Sequence, residues 1–275
     1  MKFMGKKMTE QEYREHPALS RSSLWAIHDS PEKFKFLMNN PPEPTDALLF
    51  GQVLHKIVLE PETFTQEFAV EPNVDKRTRD GREQYSAWLS SLGENVTAVP
   101  EKFYTKALEM SQAINNNKLA KALLEGEHEC CYFWNDDITD VQCKCRLDCL
   151  REIKGKLIIV DLKTTTSSSS DKWIRDSLKF GYDMQTAMYS QGVEANYGIK
   201  PEFVFIVVEK DLPYSINIFK ASEDYLNHGY DNFRSLIGLY KHCVDTNNWF
   251  GYLGEHEQIN DLTLPAWLGG SNDSD

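Results

Sequence analysis

The amino-acid sequence predicts an α/β fold, with a central mixed sheet of about five strands flanked by helices and a helical layer added at the N-terminus. Three observations carry that prediction. Residues 141–150 alternate, with Val141, Cys143, Cys145 and Leu147 on one side and Gln142, Lys144, Arg146 and Asp148 on the other, which is the period of a strand. The run 157–163 is too apolar and β-branched for an exposed strand and belongs in the middle of a sheet. Around these lie segments whose apolar residues return at helical spacing, among them 46–59, 182–197 and 223–244.

A chain of 275 residues is long enough to bury a substantial core, and we expect one domain over 19–268, after a polar extension 1–18 and before a disordered tail 269–275. No apolar run reaches ~18 residues, so no membrane span is expected. The N-terminus lacks the apolar core of a signal peptide, which points to the cytoplasm. In that compartment Cys130, Cys131, Cys143, Cys145, Cys149 and Cys243 are expected to be reduced thiols that pack as small core residues. Cys143 and Cys145 lack the loop spacing and second pair of a structural zinc site, so none is expected. A net charge of −12 excludes a surface coated in positive charge for nucleic acid, yet leaves room for a local basic groove.

Taken in order, Leu19 to Leu24 read as a capped helix start, with Ser20 or Ser22 as cap and Leu24, Trp25 and Ile27 turned inward. A short helix follows Ser30-Pro31, offering Phe34, Phe36 and Leu37 for packing, and a proline-rich loop leads to the helix 46–59. In that helix Leu48, Leu49, Val53, Ile57 and Val58 form the stripe, and Pro61 ends it. Gly51 leaves room beside His55, one turn later on the same stripe. Residues 84–92 and 100–124 read as helices, the second with Ala107, Met110, Ile114, Leu119 and Leu123 inside. A strand within 126–135 turns at Asp136-Asp137 into the central strand. The Ser/Thr tract 164–170 leads from strand to helix, and its hydroxyls, Thr164 first, can cap the helix or bond a phosphate. After the helix 182–197 come a buried strand 203–208, an outer strand 214–219, and the helix 223–244 with Leu226, Tyr230, Phe233, Leu236, Ile237 and Tyr240 inward. Trp249, Leu262, Leu264 and Trp267 are expected to pack back on the body.

Period two puts Asp161 and Lys163 on one face near a strand end, and a hairpin at 152–156 sets Asp148 beside them. Carboxylates there must pair or bind a cation, and oxygen ligands suit a hard ion such as Mg²⁺. The lysine can hold a water or stabilise charge on a phosphoryl oxygen. Taken alone, D-x-K is equally the spacing of a strand-end salt bridge. Arg146 shares the face of Asp148, where it can grip phosphate or pair with an acid. Lys76, Arg77, Arg79 and Arg82 place four cations in seven positions against one acid. They form either a solvated surface or a loop that grips DNA phosphate.

The order Asp148, then Asp161-Leu162-Lys163, resembles the core of the PD-(D/E)xK nucleases, without the literal Pro-Asp. Gly51 to His55 resembles the G-x-x-x-H helix of the RecB-type branch, and Gln185 to Tyr189 its Q-x-x-x-Y helix. Within that branch the chain resembles the nuclease domains of exodeoxyribonuclease VIII (RecE) and its phage relatives. The resemblance implies a restriction-endonuclease-like fold with an α-βββ-α-β core. It implies a Mg²⁺-dependent exonuclease, with Mn²⁺ as substitute, that degrades one strand of linear double-stranded DNA from its 5′ end for recombination by strand annealing. RecB-type action on single strands or flaps, and a non-catalytic DNA-binding module on the same fold, are the alternatives.

On this resemblance His55, Asp148 and Asp161 would be the metal ligands, and Glu129 a metal partner or a group behind the ligands. Lys163 would position the attacking water, while Gln185 and Tyr189 would contact the scissile strand; from the residues alone these two read equally as core-edge packing. A ring-shaped homo-oligomer and a single-strand annealing partner are also implied. Some RecB-type nucleases hold an iron–sulfur cluster through one early and three late cysteines. This chain has no cysteine before Cys130, one late, Cys243, and Ser30 at the early position, so no cluster is expected.

Overall fold

The computed structural model describes residues 5–254, 256, 259 and 261–263. Ahead of the sheet the chain builds short helices, most of them started by a side chain that answers free backbone N–H groups. Thr9 and Glu12 form a capping box at α1 (Glu10–Glu15). Ser20 caps α2 (Arg21–Ala26), and Ser30, with Pro31 at the first turn, starts α3 (Pro31–Asn39). Thr45 opens α4 (Asp46–Leu59), whose inner stripe is Phe50, Val53, Leu54, Ile57 and Leu59. A single turn, α5 (Phe64–Glu67), leads to β1 (Phe68–Val70), which pairs in parallel with β2 (Thr97–Val99) across α6 (Arg79–Ser90).

The helix expected over 100–124 is two, α7 (Glu101–Asn116) and α8 (Lys118–Leu123). Asn117 breaks it by turning its side chain onto the N–H groups of Leu119 and Ala120, at 3.1 and 3.0 Å. The break leaves Leu119 exposed rather than inside. Phe36, Leu37, Leu48 and Tyr230 are likewise exposed, because their helices carry more apolar residues than one face can bury.

The sheet follows as β3 (Glu127–Asn135), β4 (Gln142–Ile153) and β5 (Lys156–Thr165), an antiparallel meander. The β4–β5 turn is Lys154-Gly155, both at positive φ, as a two-residue hairpin requires. After α9 (Ser170–Lys179) and α10 (Tyr182–Tyr197) the chain returns as β6 (Glu202–Glu209), parallel to β5. The antiparallel β7 (Ile216–Lys220) closes the order β3-β4-β5-β6-β7, and α11 (Glu223–Thr246) covers one face. This is the expected mixed five-stranded sheet with its α-βββ-α-β core.

Strand β5 divides the core by its own alternation. Leu157 and Ile159 pack with Met184, Met188, Phe233 and Ile237 under α10 and α11, while Ile158, Val160 and Leu162 pack with Val53, Leu54, Met110 and Ile114 under α4 and α7. The first face therefore receives Asp161 and Lys163. The six cysteines are free and buried, and burial pushes the Cys131 thiol to about 11 and those of Cys143 and Cys149 to about 12. Helix α10 can lie between sheet and α11 because Gly229 brings α11 onto it; a Cβ there would stand 2.0 Å from the Asp183 carbonyl oxygen.

From Gly5 on, the polar N-terminal extension packs against the body. Lys6 exchanges two 2.9 Å backbone bonds with Cys131 and so covers the outer edge of β3. Lys144, on the face of β4 that also carries Arg146 and Asp148, is buried, because its ammonium caps the end of α1 through the carbonyls of Tyr13 and His16. Trp249 does fold back, onto Phe34 and Tyr240, whereas Leu262 is exposed. Leu264, Trp267 and the tail 269–275 lie outside the described residues. No described helix is long and apolar enough to cross a membrane.

Candidate active site

The site forms where two strands part. Pairing between β4 and β5 runs from Ile153 and Lys156 to Cys149 and Val160 and then stops. On its far side β4 instead takes up Leu19, through bonds at Gln142 and Lys144. The parting strips Leu162 of a backbone partner on that side, and two side chains fill the place. Its N–H donates to Asp148 Oδ2 at 2.7 Å, and its carbonyl lies 2.9 Å from His55 Nε2. A carbonyl only accepts, so Nε2 carries the proton, and in the neutral ring the Nδ1 lone pair faces Asp148 Oδ2 at 3.6 Å.

Glu129 comes to the same point from β3. The register puts it across from Asp148, and its φ of +47° is a left-handed conformation in mid-strand, of the strained kind held at functional sites. Arg146 Nε pairs with it at 2.9 Å. Burial, then the charge of Asp148, push the Glu129 carboxyl up to about 7 against the pull of Arg146. One nitrogen and two carboxylate oxygens, from His55, Glu129 and Asp148, thus lie within 4.8 Å of one another. Such a donor set, with acidic charge only partly offset, fits a divalent cation.

Asp161 and Lys163 stand beside this group. Asp161 is 2% exposed, and its Oδ1 accepts from Gln185 Nε2 at 2.5 Å while Oδ2 pairs with the Lys163 ammonium. Burial raises the Asp161 carboxyl, with Lys163 opposing. Burial would lower Lys163, but the charges of Asp161 and Asp148 outweigh it and hold the ammonium protonated. The Lys163 nitrogen also lies 4.9 Å over the Tyr182 ring.

Of the residues singled out in the sequence, the structure brings together His55, Glu129, Asp148, Asp161, Lys163 and Gln185. Glu129, rather than Asp161, completes the three-donor group. Tyr189 is half-buried one turn beyond Gln185, and burial raises its phenol well above the usual range. Thr164 is half-buried on β5. Arg146 takes the acid-pairing alternative, bridging Glu129 and Glu10. The basic run makes its contacts nearby: Lys76 with Glu71, Arg77 with Asp75, Arg79 with Glu83, and Arg82 with the Arg77 carbonyl.

With this geometry in view, the family comparison is decisive: residues 20–261 match the model described as a PDDEXK-like domain of unknown function (DUF3799). The chain belongs to that family. A crystal structure of a "Putative exonuclease" from Eubacterium rectale is similar over 95% of this chain and 97% of that one, at a TM-score of 0.61 and 14% identity, and shares the fold. The structure of SSO0001 aligns with 68% of this chain and 86% of that one, at 14% identity and a TM-score of 0.30, too low to bear on the fold. A search of curated proteins finds no match.

Two residues of this PDDEXK-like site escape a sequence reading. Glu10 reaches the Arg146 guanidinium from α1, and the Thr9-x-x-Glu12 capping box was the legible sign that a helix stood there. Arg21, after the Ser20 cap, donates to the Phe180 carbonyl and lies over the rings of Trp25 and Tyr182, at 5.5 and 5.6 Å. No local signal marks that arginine as part of the site, because Phe180 and Tyr182, which bring it there, are distant in sequence.

Proposed function

We propose that this PDDEXK-like protein is a metal-dependent nuclease, and specifically an exonuclease that degrades one strand of linear duplex DNA from its 5′ end, leaving a 3′ overhang for recombination by strand annealing. The observation that carries the nuclease reading is the convergence of His55, Glu129 and Asp148 beside the Asp161–Lys163 pair. The likeness in fold to a protein titled "Putative exonuclease", over nearly its whole length, supports the exonuclease part of this reading. Mg²⁺, or Mn²⁺ in its place, would be held by His55, Glu129 and Asp148, with Asp161 adjacent. A bound divalent ion supplies positive charge for a phosphoryl oxygen and makes a coordinated water more acidic.

The rest of the mechanism belongs to the side chains. Lys163, kept as an ammonium, works as a donor: it holds a water through its lone pair and stabilises charge that grows on the phosphoryl oxygen. Asp161 keeps that ammonium in place, and Gln185 fixes Asp161 from α10. The Leu162 carbonyl orients His55. Tyr189 and Thr164 would contact the strand being cut. A ring-shaped homo-oligomer around DNA and an annealing protein that takes up the overhang fit the same reading.

The test is digestion in Mg²⁺ of linear duplexes labelled at the 5′ or the 3′ end, alongside a covalently closed circle. Early release of the 5′ label with the circle intact is expected. Cutting of the circle, or preference for single strands or flaps, would refute the exonuclease on duplex ends. No cleavage of any substrate would leave a non-catalytic DNA-binding module.

A further inference from the structure

Helix α9 buries only part of its apolar stripe. It buries Trp173 and Ser177, and Trp173 stacks toward Phe205, Phe219 and Tyr182 at 5.8, 6.1 and 5.7 Å. Its outer side carries Ile174 and Leu178, one turn apart, with Phe180 just past its end; they are 50%, 39% and 48% exposed. Arg175 and Lys179 are exposed on the adjoining face, one and two turns after the exposed Asp171, and Lys172 is paired with Asp176. Exposed apolar residues interleaved with cations, in a chain of net charge −12, mark a surface kept for something anionic that has apolar faces.

The face leads to the candidate active site. The Phe180 ring lies 5.9 Å from that of Tyr182, over which the Lys163 ammonium stands at 4.9 Å. Arg21 anchors the Phe180 carbonyl, so the ring is presented from a fixed backbone. A duplex offers its phosphates and hides its base faces, and an exposed ring reaches them only at the cost of unstacking a step. An unpaired strand offers both, phosphates for arginine and lysine and a base for the ring.

We propose that the outer side of α9, with Phe180, is the landing surface for unpaired DNA beside the cleavage centre, Phe180 stacking on a base and Arg175 and Lys179 holding its phosphates. The inference rests on the nuclease reading and adds the form of the substrate next to the cut. It differs from the basic run 76–82, where Lys76, Arg77 and Arg79 are held in ion pairs.

The experiment is fluorescence anisotropy with a short fluorescein-labelled oligothymidylate in EDTA over a range of salt, on the full chain. Phe180→Ala should weaken binding about tenfold, and Phe180→Trp should restore it, which a charge effect would not do. Arg175→Ala with Lys179→Ala should weaken binding and lower the slope of log K against log salt by about one. All these side chains are exposed, so circular dichroism and melting should stay parental. Binding by both variants as tight as the parent's at every salt overturns the proposal, including the case where α9 docks a protein instead. If the parent binds no oligothymidylate but digests duplex in Mg²⁺, the landing surface falls and the nuclease reading stands; if it does neither, both fall.

Discussion

Asp136, in the turn between β3 and β4, and Glu129, earlier on β3, are both withdrawn from water on one hairpin, and the fold treats them in opposite ways. Asp136 accepts from both terminal nitrogens of Arg234 and from the backbone and hydroxyl of Thr139, at 2.9 and 2.6 Å. Burial alone would raise its carboxyl, but these donors pull it down to about 2. Glu129 has one side of a guanidinium that it shares with Glu10, and it faces Asp148, so it rises to about 7. An acid that serves the structure is saturated with donors; one left short of them on a partly buried face is poised for a ligand or a reaction.

The sharpest way to break the comparison is to remove chemistry without removing structure. Asp161→Ala and Lys163→Ala should each lower single-turnover cleavage by on the order of 10³-fold or more, with a parental circular dichroism spectrum. Normal turnover by either purified variant would sink the site. Asp136→Ala should do the reverse: it strands Arg234 and costs roughly 3–5 kcal/mol of stability by denaturant unfolding, while the folded fraction cleaves as the parent does.

The two acids also predict pH dependences of opposite sign. Asp136 has a folded value below its ordinary 3.8, so its contribution is present above that pH and is lost as pH falls toward 2, about 2 kcal/mol in all. Glu129 has a folded value above its ordinary 4.5, so its stabilising contribution holds below that pH and is lost as pH rises through about 7. In EDTA, Glu129→Gln should therefore melt above the parent at pH 8 and lose that advantage at pH 4. Added Mg²⁺ or Mn²⁺ should raise the parent's melting temperature at pH 8 and leave the variant's nearly unchanged. Identical pH profiles for variant and parent would show that Glu129 is not strained by its neighbours.

The same contrast explains how much could be read in advance. The helix 46–59, the helix 182–197 and the central strands followed from period and caps, because each of those signals is local and agrees with the packing. The cluster of His55, Asp148, Asp161 and Lys163 followed from resemblance and strand alternation. What escaped was decided by partners distant in sequence. Residues 164–170 lead into α9, yet that helix went undrawn although Trp173, Ile174 and Leu178 fall at helical spacing along one stripe. Glu129 was expected at the site as a metal partner or a group behind the ligands, but the backbone reversal at φ +47° that accompanies its place there is not revealed by alternation. Arg146 could be read as gripping phosphate or pairing with an acid, and the choice, like the burial of Lys144, was decided by α1, which supplies the carboxylate and the carbonyls.

The smallest expected effect concerns the basic run. As a bare string of charges, Lys76 to Arg82 promised a grip on DNA, yet Arg77 lies 3.0 Å from Asp75 and Arg79 2.8 Å from Glu83, all of them well exposed. Pairs of that kind are screened by solvent and easily opened, so they weaken an attraction to phosphate without abolishing it. Changing Arg77 and Arg79 together to Ala should weaken duplex binding only a few-fold and lower the salt slope by less than the two phosphate contacts that unpaired arginines would give. Single-turnover cleavage at saturating DNA should be unchanged. A loss as large as that expected at Phe180 would mean that DNA strips Asp75 and Glu83 from their partners, and that the run is the stronger of the two grips.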